Sequence, residues 1–167
     1  SGFFFSLHRS SLPPVSNQDS SQTISFGSRE SQASVDETDQ FCPKFGADGL
    51  IPAIALDGET REPLMLAWMN EESLRQTLLL GEAVYYSRSR QEIWHKGATS
   101  GHTQRILEIR TDCDQDAIIL LVDQRGAGAC HTGRRSCFYR IVKPGDPAAL
   151  RFVGERTFDP DQVYGDK

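Results

Sequence analysis

The apolar residues of this 167-residue chain fall in short runs of strand length, and only one stretch repeats at helical spacing. Such runs, bounded by turn formers, suit strands, because a helix needs a longer stretch with a 3.6-residue period. Gly49 to Asp57 (GLIPAIALD) reads as a buried strand with Gly58 in a turn. Pro63 to Met69 (PLMLAWM) reads as its returning partner in an antiparallel hairpin. Asn70 suits a helix N-cap, Glu71 and Glu72 favour the first turn, and Gly81 suits the C-cap. With Leu74, Thr77 and Leu78 at helical spacing, the pattern predicts a helix over residues 71–80. Short strands are expected at Ala83 to Ser87, residues 104–111 and Ala117 to Val122 (AIILLV), and Ser136 to Val142 is expected to close the core. Ser87 to Gly101 and Arg125 to Arg135 read as loops. One principal helix among about six strands predicts an α+β domain on a mainly antiparallel sheet.

Residues 1–40 are rich in Ser, Gln, Asp and Glu, and are expected to form a disordered tail. The compact domain is expected over 41–143, with 144–167 as a C-terminal tail carrying at most a short strand near Arg151 to Val153. No secretory pattern is visible, since Phe3 to Phe5 are followed at once by polar residues, and no apolar run could span a bilayer. The Ser-rich start has some flavour of a transit peptide, but Arg is sparse and acidic residues begin at Asp19. A cytoplasmic protein without a membrane partner is therefore expected. The net charge of -5 gives no reason to expect nucleic acid, and the aromatics do not interleave with basic residues as in known binding modules. Yet the cations are fourteen Arg against four Lys, and eight of the Arg lie between Arg88 and Arg140. The planar guanidinium fork matches phosphate oxygens, which points to a phosphorylated small molecule.

The densest chemistry is Asp112-Cys113-Asp114-Gln115-Asp116. In extended chain alternate residues share a face, so the three Asp point one way and Cys113 the other. Crowded carboxylates suit a hard, magnesium-like cation, and a thiolate suits zinc. An acidic turn with a buried free Cys is the plainer alternative. The second cluster runs Gly128-Ala129-Cys130-His131-Thr132-Gly133-Arg134-Arg135-Ser136-Cys137. Cys113, Cys130 and Cys137 together offer three thiolates, which leave a fourth tetrahedral position for water, the pattern of a catalytic zinc site. Zinc in such a site lowers the pKa of that water to about 7. His131 could shuttle a proton, act as a fourth ligand, or be structural; Cys42 has no partner in sequence. Candidate phosphate ligands are Arg88, Arg90, Lys96, Thr99, Ser100, Gly101, Arg134 and Arg135, where hydroxyls, cations and flexible glycines alternate. Trp94 could stack on a base or belong to the core.

Six segments, Gly49–Asp57, Leu64–Glu72, Tyr86–Arg90, Trp94–Gly101, Asp112–Ala117 and Cys130–Phe138, resemble the phosphoribosyl-AMP cyclohydrolase family in order and separation. The pairing of Asp-Cys-Asp-x-Asp-Ala with Cys-His-Thr-Gly-Arg-Arg-Ser-Cys-Phe carries the resemblance. It implies an intertwined homodimer that opens the adenine ring of phosphoribosyl-AMP at N1–C6. It also implies one zinc per subunit, held by Cys113 of one subunit with Cys130 and Cys137 of the other, and magnesium held by Asp112, Asp114 and Asp116. In that scheme His131 is the proton carrier. Leu56 and Ala98 stand where the family commonly has Gln and Glu, and the loop before Cys130 is one residue longer than usual. The segment after Val142 is too short for the pyrophosphohydrolase domain fused to some members, so a monofunctional chain is expected. Two other readings exist. A zinc nucleobase deaminase would need His-x-Glu and Pro-Cys-x-x-Cys, which do not occur here. A noncatalytic zinc-stabilised binding module would need four protein ligands.

Overall fold

The computed structural model describes residues 23–165. Residues 1–22 of the segment read as a tail lie outside the described residues. From there the chain forms α1 (Gln32–Asp36), β1 (Ile51–Asp57), β2 (Pro63–Met69), α2 (Glu71–Leu80), β3 (Val84–Ser87) and β4 (Glu92–His95). It continues through β5 (Gln104–Thr111), β6 (Ile118–Gln124), β7 (Arg140–Lys143), β8 (Asp146–Phe152) and α3 (Pro160–Tyr164).

The β1–β2 hairpin and α2 form where local sequence demands them. The Asn70 side chain accepts a hydrogen bond from Ser73 N–H, and Ser73 Oγ accepts one from Asn70 N–H, closing a capping box. Gly81 ends the helix in the left-handed region, donating its N–H to Thr77 O. Thr77 is fully buried, and its hydroxyl joins the helix to β3 by donating to Val84 O and accepting from Val84 N–H. A hydroxyl can therefore stand on the buried face beside Leu74, because each of its polar bonds is made.

Six strands form one sheet in the order β4-β3-β2-β1-β6-β5. Its neighbours run antiparallel except β1 and β6, which pair in parallel with Ala53 opposite Ile118. The sheet curls far enough for its edge strand β5 to reach the segment between α2 and β3: Ala83 N–H donates to Gln104 O, and Ile106 N–H to Gly81 O. Ile51, Ala53 and Ala55 alternate inward from β1, and Ile118, Leu120 and Val122 from β6, to meet Leu64, Met69, Leu74 and Tyr85 in the core.

Three local expectations change. The polar stretch 87–101 contains β4, because Gln91 takes a left-handed turn (φ 54°) that folds Glu92–His95 back on β3. Ser136 to Val142 does not close the core. Residues 136–139 are irregular, and β7 pairs with β8 as a separate, exposed hairpin turned at Gly145. The short strand expected near Arg151 is instead seven residues long. Upstream of β1, the Gln115 side chain accepts from Cys42 N–H and donates to Gln40 O, and Arg75 donates to Ile24 O, so this segment is tied to the β5–β6 turn and to α2. Among the described residues, no helix is long and apolar enough to cross a membrane.

Candidate active site

The loop that follows β6 brings the second cysteine cluster to the end of β2 and β4. Ser136 Oγ donates to Pro63 O, and Cys137 N–H donates to Leu64 O, which seat the loop on β2. Inside the loop, Ala129 and Cys130 N–H groups bond to the carbonyls of Arg135 and Arg134. This small hairpin places Cys130 and Cys137 sulfurs within interaction distance of each other. Burial first, and then the Cys130 sulfur beside it, push the Cys137 thiol up to about 12. A thiol placed as that of Cys137 stays protonated until a cation replaces the proton. Thr132 Oγ1 lies 3.0 Å from Cys130 Sγ.

Lys96, 4 % exposed, follows β4 and donates from Nζ to Ala129 O at 2.8 Å. Burial lowers its pKa, and the neighbouring Cys137 and Cys130 pull the other way. Its ammonium also stands 5.5 Å from the centre of the Trp94 ring. Around these groups lies a cleft of about 740 Å³, lined by Arg90, Trp94, Lys96, Thr99, His131 and Cys137, with Met65, Glu92 and Ala129. Six of the residues singled out in the sequence therefore meet in one hollow. His131 is exposed at that cleft.

The remaining candidates lie apart from it. Ser100 borders an adjoining hollow with Thr99, and Gly101 (φ 78°) closes the same turn by donating its N–H to Gly97 O. Arg88 lies over the Trp68 ring at 4.8 Å, in a different depression near the start of α2. Arg134 lies 4.2 Å over Tyr139, and Arg135 reaches Asp57 at 2.6 Å and Glu62 at 2.8 Å. Two buried residues had no sequence signal. Gln104 accepts from the Tyr85 hydroxyl at 2.6 Å and donates to Gln124 Oε1. His102 packs edge-on against Phe158, and burial lowers its pKa. The nearest hint was that both flank the glycine-bearing turn.

Asp112, Asp114 and Asp116 occupy the β5–β6 turn, and one carboxylate oxygen from each lies within 4.8 Å of the others. Gln115 adopts φ 58° between them and is buried, so its side chain faces away from the acidic group toward residues 40–42. At Asp112 burial works upward but is outweighed by hydrogen bonds from the amides of Ala117 and Asp116, and the carboxyl is held low. Asp116 goes the other way, raised by burial and by its neighbours Asp112 and Asp114. Opposite shifts in touching carboxyls are the mark of crowded like charge. Hard oxygen donors in that state fit a divalent cation such as magnesium, as the sulfur pair fits zinc. Cys113 is exposed on this turn. Among the described residues the three Asp are the one group of three such ligand atoms brought together, so a single chain does not unite Cys113 with Cys130 and Cys137.

A family model described as phosphoribosyl-AMP cyclohydrolase matches residues 65–139, which contain both clusters and the Lys96 loop. A phosphoribosyl-AMP cyclohydrolase of Rhodopseudomonas palustris (strain TIE-1) is 51% identical over 149 residues, covering 87% of this chain and 99% of the relative. Those of Nitratidesulfovibrio vulgaris (strain DP4) and Thioalkalivibrio sulfidiphilus are 57% and 58% identical, covering 74% and 72% of this chain and 97% and 89% of the relatives. The chain belongs to the phosphoribosyl-AMP cyclohydrolase family, and it is an enzyme.

Proposed function

We propose that this enzyme hydrolyses the N1–C6 bond of the adenine ring of phosphoribosyl-AMP, the third step of histidine biosynthesis, at a site completed by two copies of the chain. The product is an opened imidazole carboxamide carrying two phosphoribosyl groups. The observation that carries this reading is the cleft in which Arg90, Trp94, Lys96, Thr99, His131 and Cys137 meet. Cys130 and Cys137, joined by Cys113 of the partner subunit, would hold zinc, and Asp112, Asp114 and Asp116 would hold magnesium. Zinc, when bound, supplies Lewis acidity that activates water near neutral pH. The chain's own residues then do the rest. His131 accepts the proton of the attacking water and returns it to N1 as the ring opens. Lys96, buried beside the sulfurs, balances their negative charge once they are deprotonated. Arg90 and the Thr99 hydroxyl bind phosphate oxygens, and Trp94 offers a face to the base.

The direct test supplies purified, metal-replete protein with phosphoribosyl-AMP and follows the ultraviolet change of ring opening. Steady turnover is expected; none would defeat the reading. Cys130→Ser should abolish turnover while leaving the urea midpoint nearly unchanged, and a Cys130→Ser protein with near-normal activity would remove the sulfur site from the mechanism.

A further inference from the structure

The cleft has a wall that the cysteine and Lys96 loops do not provide. Pro160, Asp161 and Tyr164 also line it, although they lie beyond the residues matched by the family model. The segment is fixed in place by specific bonds. Thr157 donates its N–H to Gly133 O and its hydroxyl to Ala127 O, so it is tied to the loop bearing Cys130 and Cys137. At Gly133 (φ 85°) any Cβ would collide with the Phe158 carbonyl oxygen, so the approach is as close as glycine permits. The Phe158 ring packs edge-on against His102, 4.7 Å between centroids, which ties the same segment to the turn after Lys96. α3 then begins with Asp159 as its cap and carries Tyr164 to the cleft. Tyr164 is half-buried and borders a second hollow of about 220 Å³ shared with Thr99 and Ser100. Trp94 is the other aromatic bordering both hollows.

We propose that Tyr164 is a specificity-determining residue whose ring packs on the purine-derived ring of the substrate, at the junction of the sulfur-bearing cleft and the hydroxyl-bearing turn. The aromatic ring of Tyr164 suits the flat ring system of a nucleotide, and cations and hydroxyls of neighbouring residues stand close by for the phosphates. The assignment rests on the phosphoribosyl-AMP reading above. The test is steady-state kinetics of the full-length, metal-replete protein with phosphoribosyl-AMP. Tyr164→Ala should raise KM roughly tenfold, the scale of losing one base-stacking contact, with kcat within about twofold. Tyr164→Phe should restore KM to near the wild-type value. An unchanged KM in Tyr164→Ala overturns the proposal. A fall in kcat and melting temperature without a rise in KM overturns it as well, since Tyr164 would then be a structural brace. Equal losses in the Ala and Phe variants overturn the ring assignment. Failure of the wild-type protein to turn over phosphoribosyl-AMP overturns the parent reading and this one together, whereas a failure confined to Tyr164 leaves the parent reading standing.

Discussion

Asp57 accepts hydrogen bonds from the amides of Thr60 and Glu59 with one carboxylate oxygen and from the Arg135 guanidinium with the other. It thereby closes the β1–β2 turn and ties it to the cysteine loop. The Arg135 fork, which in sequence looked free to meet a phosphate, is engaged here by Asp57 and Glu62. Asp57→Ala should lower stability by about 2 kcal/mol, the scale of a lost charge-assisted turn bond, read from urea unfolding at pH 7. The pH dependence has a definite sign. The Thr60 amide first, with those of Glu59 and the Arg135 charge, holds the Asp57 carboxyl below its ordinary value. The stabilisation is therefore complete above the unfolded-state pKa near 4 and is lost as pH falls through the lower folded-state value. The gap between wild type and Asp57→Ala should narrow on acidification; a gap that widened would contradict the assignment.

At the scale of elements, what could be read from sequence was what is encoded locally. The α2 caps sit within four residues of the bonds they make, so Asn70 and Gly81 marked the helix correctly. Asn70→Ala should cost about 1 kcal/mol in thermal or urea unfolding, with no change in metal content. The β1–β2 hairpin was legible for the same reason. β4 was hidden because Glu92 and His95 lie at an exposed edge, and the turn ahead of it uses Gln91 where a glycine would have signalled it. The parallel pairing of β1 with β6 joins residues more than sixty positions apart, and no local pattern marks it. Apolar Ile141 and Val142 suggested a core strand, yet both are exposed on the β7–β8 hairpin. The acidic cluster and the cysteine cluster, the candidate metal ligands, stood out by residue type and spacing. Tyr164 did not, because it enters the cleft only through the fold of a segment that reads as a tail.

For the whole molecule, that hairpin is an unusual surface for a chain acting alone. Val142, Leu150 and Phe152 share one exposed face of it, with Phe152 at 59%. Apolar side chains gathered in this way mark an interaction surface, and a second copy of the chain is the partner that would also unite the separated sulfurs. Val142→Asp, whose side chain has no core role, should shift the protein to monomer on gel filtration and remove turnover while leaving the circular dichroism spectrum intact. The account as a whole depends on one centre built from two chains. Cys113→Ser and Cys130→Ser proteins, each inactive alone, should regain about a quarter of wild-type turnover of phosphoribosyl-AMP when co-expressed in equal amounts, since half the dimers are mixed and each mixed dimer holds one intact centre. No recovery in preparations that contain mixed dimers, or full activity of Cys113→Ser by itself, would contradict it.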